Sequence, residues 1–419
     1  MVIVAAILVL ARRMTAEPPD PSAGLDLVGT VLSGLGLALV VLGILRGGAW
    51  GFVVPRAGAP SWLGLSPAIW LVLAGGLVLR AFQLWVRRRE RLGRPTLVEP
   101  GILRNRLLRG GLTSFGFQYL LQAGLFFIVP LYLSVALGLS AVATGVRILP
   151  LSATLLLAAA GIPKFFPDVS PRRVVRLGFL MLFAGIAALF VLLELGSGPE
   201  IVTWPLLLAG LGIGALASQL GSVTVSSVPD DQSSEVGGLQ NTGTNLGASV
   251  GTALGGAVLV AALTSSFLSG IQNNPDVPEE VASQAEVELA GGVPFISDAQ
   301  LQSALADTGV DGATATAVAD QNSEARVQGL RAALAVLAVI ALAAMFLTDA
   351  IPDRQPGARD EGGGRGTVAR RPDARDEGGG RGTVARRPGA REGGGAGETG
   401  VPHEASGEKP RTRRTETQR

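Results

Sequence analysis

The sequence predicts an all-α membrane protein with eight full transmembrane helices and a partial span at its N-terminus. The chain has 419 residues, of which 48% are hydrophobic and only 16% are charged, whereas soluble domains average about 25% charged residues. Eight segments are apolar over the roughly 20 residues that one membrane crossing needs. Basic residues concentrate in alternate loops between these segments, which is typical of a multi-pass membrane protein.

Composition also excludes several classes of function. The chain has no Cys, which rules out disulfides and thiol chemistry, and its one His, His403, lies in a polar tail. A metal site built from His or Cys ligands is therefore not expected, and no cofactor is predicted. The net charge of +2 does not indicate a nucleic-acid partner. We find no Ser–His–Asp set and no pair of membrane carboxylates, so we predict that the chain is not an enzyme.

Each predicted span is an uncharged or nearly uncharged apolar run bounded by charged or turn-forming residues. The eight spans cover 26–46, 67–86, 109–137, 141–162, 173–194, 202–226, 237–264 and 328–349. A ninth apolar run, residues 1–11, is too short to cross and is followed by Arg12 and Arg13, whereas a signal peptide carries its charge before the apolar run. We interpret 1–11 as the second half of a span whose first half is missing, and a short N-terminal anchor is the alternative.

Orientation follows from the basic residues of the short loops. Loop 87–108 contains seven Arg, and loop 163–172 contains Lys164 and Arg172. Alternating spans place both loops on one side, which the positive-inside rule identifies as cytoplasmic. The segment 265–327 falls on the other side and has ten acidic residues against one Arg. We therefore predict a multi-pass protein of the cell membrane with a large external loop at 265–327.

The chain changes character after the last span. Residues 358–373 are repeated almost unchanged at 374–389, and the segment 352–419 is rich in Gly and Arg. Such a segment has too few large apolar residues to fold alone, so we predict a disordered cytoplasmic tail. Its arginines could contact anionic lipid headgroups. A repeat expansion without a function is the alternative that we favour.

The span 237–264 combines two unusual patterns. Asn241 and Asn245 recur at a spacing of four, two positions away from a stripe of glycines, and amides facing lipid would be costly. The predicted helix therefore has a packing face, since small residues let membrane helices approach closely, and a polar face that lines a pathway or bridges to adjacent helices. The packing stripe consists of Gly243, Gly247, Gly251 and Gly255.

Four further polar residues lie inside predicted spans. Gln118 and Gln122 are one turn apart in the span 109–137, and Gln219 lies in a glycine-rich span. Arg147 lies about six residues inside its apolar run, where an ionisable residue is a candidate for a functional role. The alternative for Arg147 is that its long side chain reaches the outer headgroups. Together with Asn241 and Asn245, these residues are our candidates for a substrate pathway.

Three stretches resemble the C-terminal half of major facilitator transporters. They are "LVEPGILRNRLLRGGL" before a span, "FFIVPLYLSVALGLSAVATGVRILP" across two spans joined by a short loop, and the glycine-rich pair that begins "GLGIGALASQLGS" and continues to "GTALGGAVL". The likeness is greatest to the fourteen-span drug:proton antiporters and covers roughly residues 1–351. It implies that 1–11 ends a sixth span, that 12–108 holds two linker spans and a basic loop, and that 109–351 is a six-helix transporter bundle.

The sequence departs from that family in two respects. The N-terminal bundle, with the family's antiport motif and its proton-linked carboxylate, is absent. The second copy of the basic loop motif is degraded, because Pro167 stands at the usual Asp position and Asp168 is displaced by one. The resemblance implies the C-terminal part of an exporter of small amphipathic compounds, working by alternating access and coupled to protons in the complete protein. The alternative is a non-transporting remnant or a half-transporter that needs a partner chain.

Overall fold

The structure, a computed structural model, describes residues 26–350 apart from short gaps. The gaps are 56–58, 95, 98, 100, 230, 231, 276, 280, 281, 284, 286–292, 309 and 310. The α-helices of the described residues are numbered in chain order. They are α1 Leu27–Trp50, α2 Pro67–Arg91, α3 Arg106–Leu131, α4 Ala141–Phe165, α5 Pro171–Leu192, α6 Thr203–Val225, α7 Ser233–Asn273, α8 Asp298–Thr308 and α9 Gly312–Phe346.

Eight of these helices, all except α8, are long and apolar enough to cross a membrane. The prediction of an all-α protein with eight full spans is confirmed for the described part of the chain. Their ends follow local rules, since Asn105 caps α3, Ser140 caps α4, and Pro171 occupies the first position of α5. The predicted partial span 1–11 and the predicted tail 352–419 lie outside the described residues.

Helices α3 to α7 and α9 form one bundle with α3 and α6 near its centre. α3 packs against α6, α7 and α9, while α6 lies between α4 and α5, and α9 covers α5 and α7. The shared core is aliphatic and contains fully buried side chains from four of the helices, namely Leu121, Leu182, Leu216 and Leu337. Among the described helices, this packing leaves parts of α3, α4 and α7 without a neighbour.

Contacts at one end of the bundle show that the helices alternate in direction. The Asn105 amide, before α3, donates to the carbonyl of Ser227, after α6, over 2.7 Å. The Arg176 Nε, near the start of α5, donates to the Thr348 hydroxyl, after α9, over 3.0 Å. The starts of α3 and α5 therefore share an end with the last turns of α6 and α9, which we call the basic end.

The two linker helices form a hairpin beside the bundle. α1 and α2 pack on each other, and α1 also contacts α7. A β-carbon at Gly75 would lie 2.7 Å from the carbonyl oxygen of Gly36, so the two backbones approach closely. At the basic end, the carboxylate of Asp26 accepts from the backbone N–H of Gly29 and from Trp85 Nε1, and it pairs with Arg89 at 3.3 Å.

Much of the segment 265–327, which is predicted to be an external loop, is helical. α7 has 41 residues and α9 has 35, so at 1.5 Å per residue both exceed the roughly 30 Å thickness of the hydrocarbon core. The apolar spacing of Leu263, Phe267 and Ile271 continues the buried face of α7 beyond the span, where it packs against Val293 and Val318. The described parts of 265–327 form a small cap with its own core.

Candidate functional site

The glycine stripe of α7 packs against the backbone of α3. A β-carbon at Gly247 would overlap the carbonyl oxygen of Gly116, and one at Gly251 would overlap that of Leu120. Gly243 and Gly255 are looser, because a β-carbon at either position would meet its nearest atom at 3.8 Å. The closest approach of the two helices therefore lies in the middle of the predicted stripe.

Glycines of α6 allow close packing against two different neighbouring helices, α4 and α5. A β-carbon at Gly214 would overlap the carbonyl oxygen of Leu155 on α4, whereas one at Gly212 would lie 2.6 Å from the carbonyl oxygen of Gly178 on α5. α6 is thus in close backbone contact on two sides. Its polar residue Gln219 is 3% exposed.

The amides of α7 face away from α3. Asn245 is two residues from Gly247, which places it about 200° around the helix from the packed stripe, and both Asn241 and Asn245 are exposed. The Asn245 side-chain amide donates to the Asn241 carbonyl over 2.8 Å, and the Ser249 hydroxyl donates to the Asn245 carbonyl over 2.8 Å. These three residues form a polar ladder on α7, in which the two Asn are exposed and Ser249 is half-buried.

Gln118 lies in a different environment. It is 2% exposed, on the α3 face that also buries Ser114, Leu121 and Leu125. The Gln118 Oε1 atom and the Ser114 hydroxyl have no hydrogen-bond partner among the described residues. Gln118 and Gln219 are therefore inside the bundle, not on an uncovered surface.

A further face of α3 combines aromatic rings with an amide. Phe115 and Tyr119 stack with ring centroids 5.7 Å apart and an angle of 13° between the ring planes. Gln122 and Phe126 follow at intervals of three and four, so all four side chains share one side of the helix. Phe126 is 39% exposed and the other three are half-buried. We call this surface, Phe115–Tyr119–Gln122–Phe126, the aromatic face of α3.

The aromatic face differs from the uncovered face of α4. Between Val142 and Leu157, the large exposed side chains of α4 are aliphatic, which suits a surface in contact with acyl chains; they are Val142, Val146, Leu149, Leu156 and Leu157. The aromatic face instead offers stacking surface together with amide and phenol hydrogen-bonding groups. Such a mixture suits contact with an amphipathic molecule better than contact with lipid alone.

Arg147 stands apart from the other candidates. It is half-buried, near the start of α4, seven residues after Ser140, which caps that helix. The structure therefore does not bring the six pathway candidates together on one surface. Gln118 and Gln219 are buried, Gln122 is on the aromatic face, and Asn241 and Asn245 belong to the polar ladder of α7.

Sequence reasoning identified Gln122 but missed the aromatic face. Its signal is the spacing of Phe115, Tyr119, Gln122 and Phe126 at i, i+4, i+7 and i+11. In an apolar span, aromatic side chains are equally common in a core, so the spacing alone does not distinguish a covered face from an open one. The polar groups of the aromatic face are the Tyr119 phenol and the Gln122 amide, which form hydrogen bonds. Among the described residues, no cluster of His, Cys, Asp or Glu could hold a metal ion.

Comparison with known proteins identifies the family. The model of the family described as Major Facilitator Superfamily matches residues 3–252, which is more than half of the chain. The chain belongs to the Major Facilitator Superfamily. This confirms the predicted superfamily, and with it the prediction that the chain is not an enzyme, since the superfamily consists of membrane transporters.

Several relatives in the superfamily carry names of exporters. The probable actinorhodin transporter of Streptomyces coelicolor is 28% identical over 296 residues, covering 69% of this chain and 46% of the relative. The multidrug efflux pump LfrA of Mycolicibacterium smegmatis is 27% identical over 357 residues, covering 81% and 61%. The tetracenomycin C resistance and export protein of Streptomyces glaucescens is 26% identical over 298 residues, covering 70% and 51%.

The chain thus spans about half the length of the superfamily relatives that it matches. Among solved structures, a bacterial homolog of the human lysosomal transporter Spinster, in an inward-facing and occupied conformation, has 20% identity and a TM-score of 0.40. That alignment covers 77% of this chain and 69% of the other. At this TM-score, no structural or functional feature of that protein is assigned to this chain.

Proposed function

We propose that the chain is the C-terminal part of a drug-exporting major facilitator transporter, which moves small amphipathic compounds across the cell membrane by alternating access. In such transporters two bundles rock about a site near the middle of the membrane. The aromatic face of α3 is the observation that carries this proposal, because it is a partly exposed surface within a membrane-spanning helix and it is not aliphatic. The names of the relatives support drug or antibiotic export.

A second bundle is part of the proposal. The two Asn of the polar ladder, Asn241 and Asn245, are exposed, and exposed amides are costly against hydrocarbon. A second bundle, on the same chain or on a partner chain, would cover this ladder or share a wet cavity with it. The length of the relatives, about twice the matched region, supports this requirement.

We further propose that export is coupled to proton movement. Coupling requires a titratable group in the pathway. The six predicted spans of the bundle contain only two acidic residues, Glu194 and Asp349, both at helix ends. The coupling carboxylate would therefore belong to the second bundle, and the described bundle would contribute substrate contacts through Tyr119 and Gln122.

The experiment is an ethidium efflux assay in bacteria that lack their own drug pumps. Cells expressing the chain, either alone or together with the second bundle that the proposal requires, are loaded with ethidium, and the initial rate of efflux is followed by fluorescence. We expect Tyr119→Ala to slow efflux by at least about twofold, because an aromatic contact contributes about 0.5–1.5 kcal/mol. The matched control is Leu156→Ala, which removes an exposed side chain of α4 and should leave the rate unchanged.

Absence of efflux from a chain that is present in the membrane would reject independent export. The native protein would then be sized with an antibody to the repeat at 358–389. A band much heavier than 42.9 kDa would mean that a longer chain supplies the second bundle, whereas a band at that mass would favour the half-transporter or the non-transporting remnant. Equal loss of efflux in Tyr119→Ala and Leu156→Ala would remove the aromatic face from the pathway.

A further inference from the structure

Helix α2 carries arginines on two opposite faces. The inner face packs on α1 and buries Gly75 and Val86, and it places Arg89 3.3 Å from the carboxylate of Asp26. Arg89 is therefore neutralised within the hairpin. The other face of α2 points away from α1, and within the described residues no other helix packs extensively on it.

This outer face has a regular pattern over five turns. Its exposed side chains follow one another at alternating intervals of four and three residues, which keeps them on one side of the helix. Leu77, in the middle of the span, is 72% exposed. We call this surface the outer ridge, and it consists of Leu73, Leu77, Arg80, Leu84, Arg87 and Arg91.

The arginines of the outer ridge have no protein carboxylate to neutralise them. Among the described residues, no ion pair involves Arg80, Arg87 or Arg91. Arg80 lies within the span and donates only to the neighbouring Gln83 side chain, over 3.1 Å. An arginine facing hydrocarbon is costly. Arg80 lies seven residues, or about 10 Å, from Arg87, so the long Arg80 side chain can extend toward the headgroup layer.

We propose that the outer ridge of α2 is a binding site for an anionic phospholipid of the leaflet at the basic end of the bundle. The phosphate would lie among Arg80, Arg87 and Arg91, and the acyl chains would run along Leu73 and Leu77. Leucines toward the middle of the membrane and arginines toward its surface match the two parts of such a lipid. This inference does not depend on the transported compound.

Charge complementarity favours lipid over a second copy of this chain. Two copies in the same membrane orientation that met through the outer ridge would place Arg80 near Arg80 and Arg87 near Arg87. Like charges at such spacing repel. An anionic headgroup supplies the opposite charge, and each Lys or Arg at the membrane surface strengthens binding to anionic lipid.

The test is native mass spectrometry of the full chain released from nanodiscs that contain equal parts of phosphatidylglycerol and phosphatidylcholine. We expect retained phosphatidylglycerol on the wild-type chain. The triple variant Arg80→Gln/Arg87→Gln/Arg91→Gln should bind it about tenfold or more weakly. A second triple variant, with Lys at the same three positions, preserves the charge and should retain most of the binding.

The matched control changes as many arginines at the same end of α2 but off the ridge. It is Arg88→Gln/Arg94→Gln/Arg104→Gln, and it should retain binding close to that of the wild type. Equal weakening in the ridge and control variants would mean general attraction of a basic surface, and unchanged binding in the ridge variant would also overturn the proposal.

Because the chain has no native Cys, Leu77→Cys provides a further check. Disulfide-linked dimers of that variant in lipid vesicles would show that a second copy covers the ridge.

Discussion

Gly251 on α7 lies directly against the backbone carbonyl of Leu120 on α3, so closely that a β-carbon at position 251 would overlap the carbonyl oxygen. Gly247 has the same relationship with Gly116, one turn nearer to the basic end. The two backbones are in contact without side chains between them, which is how small residues hold membrane helices together.

Replacing Gly247 by Leu should therefore lower the amount of folded protein. The added side chain has no space beside Gly116, and overpacking of this kind costs about 1–3 kcal/mol or more. Fluorescence-detected size-exclusion chromatography after a heating series would measure the loss. Gly255→Ala is the control, because its β-carbon would meet atoms only at 3.8 Å, and it should be tolerated. Equal stability of Gly247→Leu and the wild type would reject the packed stripe.

Replacing Asn245 by Leu should abolish efflux by the complete transporter while membrane levels stay normal. Asn245 is exposed, and its side-chain hydrogen bonds go to Asn241 of the same helix, so folding of this bundle does not depend on it. Ethidium efflux and a membrane immunoblot would separate the two effects. Unchanged efflux would exclude the polar ladder from the pathway and from the contact with a second bundle.

Replacing Gln118 by Leu should raise thermal stability. The Gln118 Oε1 atom is buried without a hydrogen-bond partner among the described residues, and an unsatisfied buried polar atom costs about 1–3 kcal/mol. A differential scanning measurement in detergent would register the gain. A lower midpoint would mean that the amide is satisfied in the folded protein, for instance by a bound water, and Gln122→Leu on the aromatic face provides the comparison at a half-buried site.

Replacing Asp298 by Ala should loosen the cap. Arg326 is 3% exposed, and its guanidinium contacts Asp298 at 2.5 Å and the carbonyl of Ile296 at 3.0 Å. Removing the carboxylate leaves the Arg326 charge buried without its partner. We estimate that the cap loses about 1–3 kcal/mol of stability, which is less than for a fully buried ion pair because Asp298 itself is partly exposed. Limited proteolysis within 265–327 should accelerate. Glu324→Gln, an exposed change in the same segment, should not accelerate it.

Prediction from the sequence succeeded where one residue type or spacing decides the outcome. An uncharged apolar run of about 20 residues specifies a spanning helix, so the eight helices were predictable. Two residues of separation place Asn245 and Gly247 on different faces of any α-helix. The length of α7 was not predictable, because its continuation beyond 264 depends on Phe267 and Ile271 meeting Val293 and Val318, which are distant in sequence.

Some features of the candidate site follow from the local sequence, and others depend on how the helices pack. The sequence by itself determined the membrane class, the number of spans, the positions of the glycine stripe and the family, because these depend on composition and local periodicity. Only the tertiary structure decided which polar and aromatic residues are buried and which are uncovered. Gln118 and Gln122 are one turn apart on α3, yet Gln118 is enclosed by the bundle, whereas Gln122 is half-buried beside Tyr119 on the aromatic face. Burial is a property of the neighbouring helices, and no local pattern in a single helix specifies where those neighbours lie.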